Sequence, residues 1–470
     1  TRKESSAASD VYKRQILNSR ESFVTDAGFR RPTDRIPGGE WFSGAGFGIF
    51  VHWDQASQQG IEISWPLVGR SIIPGEDAVE DAVTVAQYQA TAPTFDPTEW
   101  DAADLARRVR DAGATYVVFT ARHHAGYNMF FTEQSDFGVE HGPFGRDITR
   151  EFVDAVRAEG LKVGIYYSLP DWNHPDYPAF RDEDLPYKLE HWPAAGLAEF
   201  ADTPDATDRH RRSSPEEWSR YLEYVRAQLT ELLTNYGQID LLWFDGDWER
   251  SAVEWTSPGL RRLIKELQPH VVINDRLPGQ GDYRTPEQGF PLTPPTGPWE
   301  LCLTIGDHWA WRRGPDNEKS ARSLLVTLID VVARGGNLLL NVGPGPDGTL
   351  PAVEQERLQE FAEWMQSHAE AVIGVEPTVG IDFHGPTTAR AGRLYLHLTA
   401  LPVEEIIVRG LPVRSITRVH RLADDLELQH DASFEVHEAS IAGDDLGELR
   451  IVAPAPSGAL IDVIAIDFSE

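Results

Sequence analysis

Asp245 is the residue whose type and position most directly suggest chemistry. It lies near the end of the apolar run IDLLWFDG (239–246), directly after Trp243 and Phe244. A buried carboxylate without partners is costly, so an aspartate at the end of a buried strand is poorly explained by a structural role. With a reference pKa of about 3.9 an aspartate stays ionised at neutral pH, which suits a nucleophile or an electrostatic stabiliser.

Glu287 and Glu300 are the candidates for a second carboxyl group. Glu287 follows Thr285-Pro286 in a proline-rich stretch, whereas Glu300 stands beside Trp299. Glycoside cleavage needs a carboxylic acid that donates a proton to the leaving oxygen and whose pKa is raised by apolar neighbours. Either residue can meet that requirement, and the choice between them stays open at this point.

Histidines end two further apolar runs. His52 is the next-to-last residue of GFGIFVHW (46–53), and His123-His124 follow ATYVVFTAR (114–122). Because adjacent residues on a strand point to opposite faces, both histidines of the pair can enter one pocket only where the strand ends. The residues that could complete a zinc site with them are Asp54, Asp171 and His174. No HxH or HExxH pattern occurs, so the spacing favours a site without a metal.

Arg276 and a set of aromatic residues would suit a hydroxyl-rich ligand. Arg276 ends the run VVINDR (271–276), where its forked donors can bind an anionic or polyhydroxylated group; an ion pair with Asp275 is the alternative. Aromatic faces stack on the C–H faces of a sugar, with core packing as the alternative for part of the set. The aromatic residues at or after strand ends are Trp53, Trp65, Tyr127, Tyr167, Trp172, Trp243 and Trp309.

Alternating strand and helix patterns would position these residues. Nearly continuous apolar runs lie at 46–53, 114–122, 161–169, 239–246, 271–276, 299–305 and 337–344. Such strands are typical of a parallel sheet buried on both faces, and the helical patterns between them predict a TIM-type barrel or a doubly wound sheet. Seven runs rather than eight leave one barrel strand missing or distorted. Two long loops, 54–96 and 170–212, follow carboxyl ends of strands, where active sites of both architectures lie.

Helix boundaries are readable at three places. Ser214 to Glu217 form a capping box with a proline at the first helical position. Further helices are predicted from about residue 97 to 112 and from 148 to 159, and each is followed by a glycine that suits a helix end.

Three parts of the chain are predicted: a polar arm over 1–40, an α/β barrel over 41–373, and an antiparallel β-sandwich over 374–470, where apolar residues alternate with period two. The formal net charge of −31 disfavours nucleic acid and anionic membrane surfaces as partners. The single cysteine, Cys302, excludes an internal disulfide and a cysteine-based zinc cluster. No apolar run reaches the length of a membrane helix. Residues 1–15 lack the apolar centre of a signal peptide, so the cytoplasm is expected, with secretion after removal of a signal as the alternative.

Together these motifs resemble those of the α-L-fucosidases of glycoside hydrolase family 29. The matching segments, in the family's order, are GFGIFVHW, ARHHAGYNMF, GLKVGIYYSLPDW, IDLLWFDG, TPEQ, the Trp-Glu pair and RGGNLLLNVGPGPDG. The resemblance implies a distorted (β/α)8 barrel followed by a β-sandwich. It also implies a retaining exo-hydrolase that removes terminal α-L-fucose from fucosylated glycans without a metal or organic cofactor, and it leaves homo-oligomer formation open.

The resemblance implies a role for each candidate residue. Asp245 matches the nucleophile of the Trp-x-Asp motif. Glu287 matches the general acid/base of members with a Thr-x-Glu segment, and Glu300 matches the candidate in other members. The matching sugar-binding positions are His52, Trp65, His123, His124, Tyr167, Trp243, Arg276 and Trp309, of which Trp309 corresponds to an aromatic residue that packs on the fucose methyl group.

The sequence departs from the family pattern at three points. Asp54 replaces a glycine, Ala125 replaces an acidic residue, and Ser64 replaces the glutamate of a Glu-Trp pair, for which Glu62 is a candidate substitute. A catalytically decayed fucose-binding protein, suggested by Ala125 and Ser64, is therefore an alternative function. A second alternative is a metal-dependent barrel hydrolase with zinc held by His52, His123, His124 and Asp54.

Overall fold

The computed structural model describes residues 36–67, 85–177, 213–247, 250–434 and 446–469. Most of the arm predicted over 1–40, and parts of the long loops at 54–96 and 170–212, lie outside these ranges. Within them, no helix combines the length and the apolar character needed to cross a bilayer.

Seven parallel strands form the central sheet. They are β1 Phe47–Val51, β2 Tyr116–Arg122, β3 Lys162–Ser168, β4 Leu241–Asp245, β5 Val272–Ile273, β6 Glu300–Thr304 and β7 Asn337–Val342. Their spatial order is β5-β4-β3-β2-β1-β7-β6. Each of the seven predicted apolar runs contains one of these strands, so that prediction is confirmed. The runs are apolar throughout because helices cover one face of the sheet and side chains fill the other.

The sheet is a parallel half-barrel that is not fully closed. Strands β5 and β6 form its two edges, and residues 283–287 lie between them. This segment makes isolated bridges, such as Arg284 with Trp299 and Glu287 with Cys302, instead of a continuous ladder. Pro286 lies in the middle of the segment and has no N–H to give to a ladder. The distorted barrel that the resemblance implies thus has seven strands in the described residues, with this irregular segment in place of an eighth strand.

Helices cover the outer face of the sheet. The described helices are α1 Val85–Gln89, α2 Ala102–Asp111, α3 Ile148–Ala158, α4 Pro215–Asn235, α5 Ser257–Leu267, α6 Ala321–Val332 and α7 Ala352–His368. The predicted capping box starts α4, because Ser214 and Glu217 each accept a hydrogen bond from the other's backbone N–H. Helix α2 begins later than predicted, since Asp101 caps it by accepting from the N–H of Asp104.

Antiparallel strands make up the C-terminal part. They are β8 Glu376–Pro377, β9 Thr387–Arg390, β10 Arg393–Leu398, β11 Glu405–Pro412, β12 Ile416–Arg421, β13 His430–Ser433, β14 Leu446–Val452 and β15 Asp462–Phe468. One sheet has the order β12-β15-β10-β9-β8 and the other β11-β14-β13. Residues of both sheets, among them Leu396, Val408 and Ile464, share one apolar cluster. Two sheets packed over a common core are the arrangement of a sandwich, and the boundary near residue 374 stays a prediction.

The direction of each side chain on the parallel strands decides what the functional site contains. Tyr166 and Trp243 belong to the apolar cluster inside the half-barrel. Their neighbours Tyr167 and Phe244 belong to the cluster between the sheet and the helices, which includes Leu229 of α4. Since successive residues of a strand point to opposite faces, one position along β3 separates the interior from the outer layer.

Candidate active site

A cavity of about 310 Å³ lies at the carboxyl ends of the parallel strands. Its walls are formed by Phe50, His52, Trp65, His123, Tyr166, Trp243, Asp245, Arg276, Glu287 and Trp309. The walls combine aromatic rings with a few charged and polar groups, which suits a small polar molecule such as one sugar ring. Eight of the eleven predicted site residues line the cavity, and the other three, Glu300, His124 and Tyr167, are placed elsewhere.

Arg276 joins the two carboxylates that face the cavity. Its Nη1 donates to Oδ1 of Asp245 at 2.7 Å, and its Nη2 donates to Glu287. The guanidinium also lies over the Trp243 ring, 4.6 Å from the ring centroid. Asp275, the alternative partner of this arginine, accepts a hydrogen bond from the hydroxyl of another residue, Thr285. The forked arginine therefore holds a pair of carboxylates at fixed positions on one wall of the cavity.

Asp245 has the surroundings of an ionised carboxylate. The Tyr166 hydroxyl donates to Oδ2 at 2.9 Å, and Nε2 of His124 lies 3.5 Å from the same oxygen. Burial by itself would raise the pKa of Asp245, but the charges and hydrogen bonds of Arg276 and His124 outweigh burial and hold that pKa below its usual range. The carboxylate therefore stays charged, with its lone pairs oriented by the donors of Arg276 and Tyr166.

Glu300 lies beneath the cavity, in the interior of the half-barrel. Its Oε1 accepts from Nε1 of Trp243 at 2.9 Å, and its Oε2 accepts from the Tyr116 hydroxyl at 2.6 Å. The Tyr283 hydroxyl is 3.5 Å from Oε1. Burial raises the pKa of Glu300 to about 7, because the side chains that donate to it are neutral and compensate little of the lost hydration. Glu300 thus anchors the indole of Trp243 from below.

His52 is held in one tautomer by Asn341. The Asn341 Nδ2 donates to the carbonyl oxygen of Trp309 at 2.6 Å, so its Oδ1 faces Nδ1 of His52 at 2.6 Å as an acceptor. Nδ1 of His52 therefore carries the proton and Nε2 offers a lone pair. Burial lowers the pKa of His52 to about 3, so the ring is neutral.

The histidine pair is fixed by two serines. Nδ1 of His123 lies 2.7 Å from the Ser64 hydroxyl, and Nδ1 of His124 lies 2.7 Å from the Ser168 hydroxyl. Since Ser168 donates its own proton to the Pro170 carbonyl, it must accept from His124, which places a proton on Nδ1 of that ring. Burial lowers the pKa of His123 well below its usual value. His123 therefore meets the cavity as a neutral ring, stacked on Tyr166 with centroids 5.2 Å apart.

Trp65 and Trp309 form apolar parts of the wall. The Trp309 ring lies 4.8 Å from that of His52, and Trp65 packs edge-on against His124 at 5.5 Å. Glu62, the candidate substitute for the family's missing glutamate, is not part of the wall. Its two carboxylate oxygens accept instead from the backbone N–H groups of Trp309 and Ala310, each at 2.8 Å.

Tyr167 is the predicted sugar-binding residue that the structure corrects. Its hydroxyl donates to Gln228 at 3.0 Å, and the Arg122 guanidinium lies 4.2 Å from its ring centroid, in the layer between sheet and helices. Tyr166, one position earlier, lines the cavity and reaches Asp245. The alternation of β3 places only one of the two tyrosines inside, and the sequence pattern YYS does not distinguish them.

Four residues at or beside the cavity were not predicted from the sequence: Phe50, Tyr166, Ser168 and Asn341. Asn341 carries the clearest signal, because an amide in the middle of the apolar run NLLLNV must find partners when buried. The two serines beside the histidines, Ser64 and Ser168, carry no such signal, since serine is common in loops and at strand ends.

One group of described residues has the spacing of a metal site. It consists of His123, His124 and Asp245, whose ligand atoms lie within 4.8 Å of one another. Asp54 lies apart from this group, because its carboxylate caps the turn Gln55–Gln58 by accepting from the N–H of Ala56. The zinc site hypothesised with Asp54 therefore does not assemble. The positive charge of Arg276 beside Asp245 would also repel a metal cation there.

Comparisons with known proteins agree on one family. A model of the alpha-L-fucosidase family matches residues 25–370. The tissue alpha-L-fucosidase of Bos taurus is 30% identical over 368 residues, which cover 73% of this chain and 70% of that protein.

Two solved structures share the fold. Alpha-L-fucosidase isoenzyme 1 from Paenibacillus thiaminolyticus is 30% identical with a TM-score of 0.74, and the match covers 92% of this chain and 99% of that one. An alpha-L-fucosidase of family GH29 from Bacteroides thetaiotaomicron matches with a TM-score of 0.73 at 22% identity, covering 96% of this chain and 99% of that one. That second structure is a trapped covalent intermediate, obtained with 2-fluoro-fucosyl fluoride and a glutamate-to-glutamine mutant.

Proposed function

The chain belongs to the alpha-L-fucosidase family, glycoside hydrolase family 29, and from this premise we propose that it is a retaining exo-acting α-L-fucosidase with Asp245 as nucleophile. The observation that carries the proposal is the pair of carboxylates, Asp245 and Glu287, which share Arg276 at the wall of one small cavity. A retaining glycosidase uses two carboxyl groups on either side of the scissile bond.

In the first step Asp245 attacks the anomeric carbon of a terminal fucose. The cation of Arg276 keeps this carboxylate ionised in a buried place, so no proton has to leave before attack. The Tyr166 hydroxyl and His124 hold Oδ2 and so orient the side chain. An oxocarbenium-like transition state then collapses to a covalent glycosyl-enzyme on Asp245. The trapped covalent intermediate of the Bacteroides thetaiotaomicron relative supports this sequence of events.

Glu287 is the residue we assign to proton transfer. Protonated, it donates to the departing glycosidic oxygen; ionised, it then takes a proton from the water that releases fucose. The position of Glu287 supports this assignment, because its side chain lines the cavity, where a glycosidic oxygen can reach it. Glu300 is the weaker candidate, since both of its oxygens are bonded to side chains beneath the cavity.

The remaining wall would recognise the sugar. Nε2 of His52 is a free acceptor for a sugar hydroxyl, because Asn341 occupies Nδ1. The neutral rings of His52 and His123 suit an uncharged ligand. Trp309 offers an apolar face, which fits the methyl group that distinguishes a 6-deoxy sugar. The substrates would thus be fucosylated oligosaccharides or glycoconjugates with fucose at a terminal position.

Hydrolysis of an aryl α-L-fucoside tests the proposal. We expect Asp245→Ala to lose about a thousandfold or more in kcat. Asp240→Asn is the matched control, because Asp240 is a buried carboxylate at the opposite end of the same strand, bonded to Lys162. Labelling of the wild type with 2-fluoro-fucosyl fluoride should place the sugar on Asp245 in a mass-spectrometric digest, and proton NMR should show the α-anomer first.

Four results would contradict the proposal. Substantial activity in Asp245→Ala would remove the nucleophile assignment, and the β-anomer as first product would exclude retention. Fucose binding without turnover by the wild type would favour the decayed binding protein. Loss of activity with a chelator, restored by zinc, would favour metal-dependent hydrolysis through the group of His123, His124 and Asp245.

A further inference from the structure

We propose that Glu62 is a positioning residue that holds Trp309 against the exocyclic carbon of the sugar and thereby sets the preference for a methyl group at that carbon. The proposal rests on the proposed function, since it concerns the same cavity. It assigns to Glu62 a role through the backbone of Trp309 instead of direct contact with the ligand.

The carboxylate of Glu62 clamps a distant segment of the chain. Oε2 accepts from the Trp309 N–H at 2.8 Å, and Oε1 accepts from the Ala310 N–H at 2.8 Å. Oε1 also accepts from the N–H of the next residue, Ile63, at 2.8 Å. Both oxygens are therefore engaged with backbone donors, and Glu62 has no place in the cavity wall.

Trp309 needs such a clamp because it lies in irregular backbone. Residues 305–320, between β6 and α6, have no helix or strand ladder, so side chains must satisfy the backbone polar groups. Glu62 takes the N–H of Trp309 and Asn341 takes its carbonyl, at 2.6 Å. The backbone N–H and carbonyl of Trp309 are thus bonded to side chains from two separate segments of the chain. Trp309 itself is only 7% exposed.

The position of the indole matters for the choice of sugar. A fucoside and the corresponding L-galactoside differ in one hydroxyl on the exocyclic carbon. A fixed apolar face against that carbon stabilises a methyl group, whereas a hydroxyl buried there loses water without gaining a partner. An indole that can move away leaves room for water and loses this discrimination. The clamp on the Trp309 backbone would therefore act on selectivity more than on the chemical step.

Glu62→Gln is the informative variant. Glutamine has the same size, but its NH2 group cannot accept, so one backbone N–H of the clamped segment faces another donor. We expect kcat/KM for an aryl α-L-fucoside to fall about tenfold, mainly through KM, with little change for the aryl α-L-galactoside. The ratio of the two values should thus fall about tenfold.

A double-mutant cycle with Trp309→Ala tests whether Glu62 acts through the indole. In the Trp309→Ala background, Glu62→Gln should leave the ratio unchanged, because the group that Glu62 positions is gone. Asp240→Asn, which removes a buried carboxylate bonded to the N–H of Val163 at the other end of the barrel, should keep the wild-type ratio. If Glu62→Gln does not fold, Glu62→Asp keeps the charge, falls one methylene short of the clamp, and should lower the ratio in the same way.

The outcomes separate this proposal from the proposed function. Hydrolysis of the fucoside by the wild type with an unchanged ratio in Glu62→Gln or Glu62→Asp would overturn the role of Glu62 alone. An equal fall of the ratio with and without the Trp309 indole would also overturn it. If the wild type does not hydrolyse the fucoside, the proposed function fails. In that case calorimetry measures the affinities of the wild type and of Glu62→Gln for L-fucose and L-galactose. Binding with the same ratio of the two affinities in both proteins would overturn the role of Glu62.

Discussion

Glu300→Gln separates the two candidate proton donors and perturbs the network beneath the cavity in a defined way. Glu300 gives one oxygen to Trp243 and one to Tyr116, and glutamine keeps an oxygen for one of them. The tyrosine hydroxyl can accept from the new amide, because a phenol both donates and accepts. We therefore expect Trp243 to stay in place and hydrolysis of an aryl α-L-fucoside to remain within about tenfold of the wild type.

The size of the effect on stability follows from the pKa of Glu300. Burial raises that pKa from 4.5 to about 7. Between these values the folded chain holds a proton that the unfolded chain has released, so the free energy of unfolding falls as pH rises. At about 1.36 kcal/mol per pH unit, the shift costs roughly 3 kcal/mol. The cost is absent below pH 4.5 and complete above about pH 7. Glutamine does not ionise, so the free energy of unfolding of Glu300→Gln should not show this fall with rising pH.

Urea unfolding of both proteins at about pH 5 and about pH 8 measures the difference. The stability of Glu300→Gln relative to the wild type should rise by most of those roughly 3 kcal/mol between the two pH values. An identical pH dependence in both proteins would refute the buried-charge reasoning. Glu287→Gln is the comparison for activity and should lose about a hundredfold or more on substrates with poor leaving groups. If Glu300→Gln shows that loss and Glu287→Gln does not, Glu300 is the proton donor.

Three further predictions concern single side chains. Tyr166→Phe should lower kcat for the aryl α-L-fucoside about tenfold by removing a hydrogen bond to Asp245, while Tyr167→Phe should alter only the urea midpoint; the reverse pattern would contradict the placement of these tyrosines. Arg276→Met should move the acid limb of the kcat/KM profile to higher pH, because Asp245 loses the cation that lowers its pKa, and an unmoved limb would exclude that role. Asp54→Asn should flatten the fall in unfolding free energy up to about pH 7, since burial raises the pKa of Asp54 to about 7; an unaltered slope in urea titrations would place the ionisation elsewhere.

The strands, and the edge of the sheet that carries the site, were predictable because burial on both faces requires a continuous apolar run in the sequence. A strand covered on both faces must be apolar throughout, and seven such runs became the seven strands of the parallel sheet. The carboxyl ends of parallel strands share one edge, so His52, His123 and Asp245 were expected together and line one cavity. The irregular segment around Pro286 was visible only as the lack of an eighth apolar run.

The same double-sided burial explains what the sequence did not reveal. Inward and outward residues of β3 are equally apolar, so nothing local states that Tyr166 points inward and Tyr167 outward. The clamp of Glu62 on Trp309 and the link of Asn341 to His52 join residues far apart in the chain. Such pairs depend on how the loops and strand ends meet in space, which periodicity does not describe.

The charges of neighbouring groups, more than the depth of burial, distinguish the buried carboxylates from one another. Asp245 and Glu300 are both inside the half-barrel, and burial pushes the pKa of each upward. Asp245 touches the cation of Arg276, which overcomes burial, whereas Glu300 is bonded to the neutral donors of Trp243 and Tyr116. An ionised carboxylate facing a cavity is suited to attack, and a carboxyl group with both oxygens engaged is suited to hold its neighbours. Arg276, which follows β5, thus keeps Asp245 at the end of β4 in the ionised state that the proposed nucleophile requires.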